Sequence, residues 1–70
     1  MENLTAAEKI DRRYSAAMDS LKIVNDLGAR ETLTDEEQER FEQNKYHLEW
    51  VVSRDFWGDR DLTPVEDAIA

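Results

Sequence analysis

Seventy residues with a formal net charge of −8, a sequence pI near 4.4 and no cysteine set firm limits on this chain. A domain this short buries only about 60% of the surface its unfolded chain exposes, and without thiols it has neither disulfides nor Cys-ligated zinc to reinforce a marginal core. Its acidity opposes direct binding to nucleic acid or an anionic membrane, which calls for clustered Lys and Arg, and no run of about 18 apolar residues is present to span a bilayer.

With 40% apolar and 37% charged residues, two Gly and one Pro, the composition is that of one folded domain over residues 1–70. Met1-Glu2-Asn3 lacks the basic start and apolar stretch of a signal peptide. The expectation is a cytoplasmic protein of whatever cell makes it.

Three helix starts are written alike: Leu4-Thr5 with Glu8, Leu33-Thr34 with Glu37, and Leu62-Thr63 with Glu66. In each, the Thr hydroxyl can accept from the backbone N–H three residues on while the Glu carboxylate accepts from the Thr N–H, near the positive end of the helix dipole. The apolar positions that follow each start do not correspond, so these are three independent caps and not a repeat.

The first helix is expected over about 5–27. Ala7, Ile10, Tyr14, Ala17, Leu21 and Val24 alternate three and four apart, with Met18 and Leu27 widening the stripe. Glu8 and Arg12 lie at the spacing of an i,i+4 ion pair on the opposite face. Gly28 stands where a left-handed residue would close the helix. Residues 28–33 then form a link short enough to imply an antiparallel hairpin.

The second helix is expected from Asp35 to about Asp55, with Asp35, Glu36 and Glu37 in its first turn and Arg40 within reach of Glu36. Phe41, Leu48, Val51 and Val52 form one apolar stripe, suited to the first helix. Tyr46, Trp50 and Trp57 form another, left for the returning C-terminal segment or for a second molecule. After Phe56-Trp57, Gly58 breaks the helix, and Pro64 is expected at the first position of a short third helix over about 64–69. Too short to stand alone, this helix would dock Leu62, Val65, Ala68 and Ile69 on Trp50 and Trp57. The fold expected is all-α, an antiparallel helical hairpin plus a short C-terminal helix.

Chemical sites are sparse. Asp59-x-Asp61-x-Thr63 resembles the opening of an EF-hand loop, but Pro64 stands where that loop needs Gly and Ala70 where it needs a bidentate Glu, so the segment reads as a capping turn. His47 is the single histidine, and Ser53, six residues on, points away from it; it reads as a surface or interface residue, not a general base. Neighbouring carboxylates such as Glu36, Glu37, Glu39 and Glu42 have no apolar pocket to raise a pKa and read as solvated surface. No enzyme, metal, cofactor or small-molecule substrate is expected.

Two surfaces remain as candidates for a protein partner. Tyr46, Trp50, Phe56 and Trp57 can anchor an interface, since such aromatics are enriched in binding hot spots. Asp35, Glu36, Glu39, Glu42 and Glu49 can instead imitate a phosphate track and occupy a basic nucleic-acid channel.

The stretch containing Asn44, His47-Leu48, Asp55-Phe56-Trp57, Asp59, Asp61-Leu62-Thr63-Pro64 and Ala68-Ile69 resembles the tail of small uncharacterised proteins encoded by bacteriophages and prophages. The resemblance implies a phage origin and a helical fold, and it carries no activity across. Residues 1–34 have no part in it. Together these readings lead to the expectation of a small phage-encoded structural or assembly accessory protein that associates with itself, with an acidic inhibitor of a host defence or DNA-binding protein as the alternative.

Overall fold

Two of the three threonine starts close as reciprocal caps. The Glu8 N–H donates to Thr5 Oγ1 at 3.1 Å and the Thr5 N–H to Glu8 Oε1 at 3.3 Å; the corresponding distances at Thr34 and Glu37 are 3.1 and 3.0 Å. In the computed structural model, which describes residues 3–70, these caps open α1 (Ala6–Gly28) and α2 (Asp35–Ser53), and α3 (Thr63–Ile69) follows. Met1 and Glu2 of the N-terminal reading lie outside the described residues. The fold is all-helical, with α1 and α2 packed as a hairpin and the short α3 against both.

The third start is built differently. Thr63 is already helical, Leu62 is the cap residue without a side-chain cap bond, and Asp61 Oδ1 accepts from the Thr63 N–H at 2.9 Å. Asp61 thus occupies the Thr63 N–H expected to donate to Glu66, and with Thr63 as the first helical residue Pro64 takes the second position instead of the first.

Both long helices also end differently from expectation. Gly28 remains helical: Ala29 continues at φ −84°, and the Ala29 and Arg30 N–H groups bond back to Asp26 and Leu27 through right-handed turns. Arg30 holds this turn by pairing with Asp26 at 3.0 Å and with Glu37, tying the end of α1 to the start of α2. Glu8 is engaged in its cap, and the ion pairs of the described residues are those of Arg30 and one between Arg60 and Asp11, not the expected Glu8–Arg12 and Glu36–Arg40. α2 stops at Ser53, two residues before Asp55, with Arg54 extended.

Trp57 accounts for that early stop. The last carbonyls of a helix lack i+4 partners, and that of Val51 accepts from the Arg54 N–H at 3.2 Å and from the indole Nε1–H of Trp57 at 2.7 Å inside the core. For the ring to fold back under α2, the chain must leave the helix and turn. Gly58 provides the turn with φ +65°, a conformation costly for residues carrying Cβ.

The core gathers around this ring. Ala17, Leu21 and Val24 from α1, Leu48 and Val51 from α2, Trp57 from the turn and Val65 from α3 are buried together, with Ile10, Tyr14, Met18, Phe41, Val52, Phe56, Leu62, Ala68 and Ile69 packed around them. Leu27 is buried as well, whereas Ala7 is exposed, so the stripe of α1 faces the core from Ile10 onward. The Tyr14 hydroxyl donates to the Asp61 carbonyl at 2.9 Å, and Arg60 binds both Asp11 and the Trp57 carbonyl, fastening the return segment to α1. No helix among the described residues is long and apolar enough to cross a membrane.

The capping geometry has a pH signature. The backbone N–H and hydroxyl of Thr34 lower the Glu37 carboxyl below its ordinary value of 4.5, and the Arg30 guanidinium adds to this. A carboxyl whose folded-state pKa is depressed stabilises fully above its unfolded value and loses that contribution as pH falls through its folded value. The difference in melting temperature between the native chain and Glu37→Gln is therefore expected to be constant above pH 5 or so and to shrink as pH falls below 4.5. The comparison cancels the charge changes common to both chains, and a gap that widened in acid would contradict it.

Candidate partner-binding face

The outer side of α2 is set by helical periodicity. With Phe41, Leu48, Val51 and Val52 turned toward the core, Asp35, Glu39, Glu42, Tyr46, Glu49, Trp50 and Ser53 recur three and four apart on the opposite side, and all are exposed. Glu36 is exposed on the shoulder of the same face. The acidic and aromatic candidates thus share one continuous surface, with carboxylates toward the N-terminus of α2 and aromatic rings toward its end.

The aromatic residues separate by depth. Tyr46 is 73% exposed and Trp50 37%, while Trp57 is only 3% exposed. Trp57 is therefore part of the core and is not presented at the surface of the single chain. Phe56 is half-buried between them, its ring centroid 4.7 Å from Trp57 and 6.3 Å from Trp50. The third helix accordingly docks on Trp57 and not on Trp50, which lies outside the core cluster.

Cations frame the exposed rings. The Arg54 guanidinium carbon lies 5.4 Å from the centre of the Trp50 ring, and that of Arg13 lies 5.4 Å from the centre of Phe56. Both are within cation–π range. The His47 ring stacks on Trp50 with centroids 6.2 Å apart and planes 20° from parallel. Toward the acidic end, Glu42 accepts from Gln38 at 3.1 Å and Glu39 from Gln43 at 3.3 Å, bonds that hold those carboxylates along the helix surface.

His47 has a partner that the sequence reading missed. Ser20 Oγ lies 2.7 Å from His47 Nδ1, and Ser20 is the buried polar residue of α1. The signal was present: Ser20 falls between Ala17, Leu21 and Val24 at core spacing, so a hydroxyl there needs a bonding partner from α2. The pair joins the two helices. Its serine is 7% exposed, which gives a substrate little access to the hydroxyl oxygen.

Among the described residues, no three His, Asp or Glu side chains converge in a metal-binding arrangement. Asp59 and Asp61 stay in the turn before α3, where Asp61 is held below its ordinary 3.8 by the hydrogen bonds from Thr63. No family model, curated protein or solved structure matches this chain.

Proposed function

We propose that this protein acts by protein contact and not by catalysis, associating with itself through the outer face of α2 as a small phage-encoded structural or assembly accessory. The observation that carries the reading is the exposure of Tyr46 at 73% and Trp50 at 37%, one turn apart on the outer face of α2, with Phe56 and Arg54 beside the Trp50 ring. The setting comes from the resemblance of residues 44–69 to phage proteins.

Magnitudes make the association weak. Covering Tyr46 and Trp50 on both copies yields on the order of 8 kcal/mol gross, against an association cost of about 4 kcal/mol or more. A dissociation constant of about 1 mM or weaker follows. Sedimentation from ~0.1 to ~5 mM chain should show a growing dimer fraction that persists from ~0.1 M to ~0.5 M salt, because apolar burial is not screened. Replacing both Tyr46 and Trp50 with Ala should give a monomer with unchanged helical circular dichroism. A native chain that stays monomeric throughout would refute the proposal.

A second reading is favoured by the line of Asp35, Glu39, Glu42 and Glu49, flanked by Glu36, on that same exposed face. Presented to a basic nucleic-acid-binding protein, these carboxylates take the place of phosphates. This binding would weaken steeply over the same rise in salt, and charge reversal at Glu36, Glu39 and Glu42 would abolish it.

A further inference from the structure

We draw no further inference here: the strongest candidate, the surface patch at the end of α2 where the Trp50 and Phe56 rings lie beneath the guanidiniums of Arg54 and Arg13, adjoins the face already described, and nothing in the structure shows what covers it.

Discussion

Trp57→Ala is expected to remove about half or more of the folding stability of the chain. The ring is 3% exposed at the meeting point of all three helices, and its removal leaves a cavity that an 8.2 kDa molecule has few side chains to refill. Truncations of this type cost about 3–5 kcal/mol, while a domain of this size has in total roughly 3.5–10 kcal/mol. The indole N–H is a separate contribution, because without it the Val51 carbonyl loses its bond from the ring in the core. Trp57→Phe isolates that contribution: most of the ring is kept, the donor is lost, and the expected cost is about 0.5–1.5 kcal/mol, because the Val51 carbonyl keeps its bond from the Arg54 N–H. Urea unfolding followed by circular dichroism ranks the three chains, with the order native, Phe, Ala. A Trp57→Ala chain as stable as the native one would mean that the core does not centre on this ring.

Val65→Asp carries the other large effect. Val65 is fully buried and is the one buried residue of α3. A carboxylate there has no cation to pair with in a cluster made of Ala17, Leu21, Val24, Leu48, Val51 and Trp57. Burying an unpaired charge costs several kcal/mol, so α3 should detach, expose Trp57 and take the hairpin with it. Val65→Ala removes only apolar area and should cost about 2 kcal/mol, leaving the fold intact. Near-ultraviolet circular dichroism distinguishes them: the aromatic signal should survive in Val65→Ala and vanish in Val65→Asp. If both variants kept it, α3 would be an appendage and not a support. The pairs of Arg60 with Asp11 and of Tyr14 with Asp61 bear on that question, because they fasten the return segment to α1 independently of Val65.

Much of the helical layout was legible before any coordinates. The capping boxes at Thr5 and Thr34 depend only on residues three apart, and the stripes of α1 and α2 depend on a period of 3.6 that any helix imposes. Leu48 and Val51 could be assigned to the core for that reason. The acidic and aromatic candidates were also on one outer face by spacing alone, since Glu39, Glu42, Tyr46, Glu49 and Trp50 follow three and four apart. Reading the aromatic residues together as one set, including Trp57 from beyond the helix, obscured this.

What the sequence determined by itself was therefore local: where two long helices begin, which sides of them are apolar, and that the chain carries a formal net charge of −8. What only the tertiary structure decided were the roles that depend on groups distant in sequence. Trp50 and Trp57 are the same residue type seven positions apart, yet one faces solvent and the other fills the core, because the chain leaves α2 after Ser53 and turns at Gly58, which brings only the Trp57 indole to the Val51 carbonyl. Ser20 acquired its bond to His47 in the same way, 27 residues away. Spacing along a helix specifies a direction, but a buried polar group is satisfied by whatever donor or acceptor the packed neighbour brings within about 3 Å, and that is a property of the assembled fold.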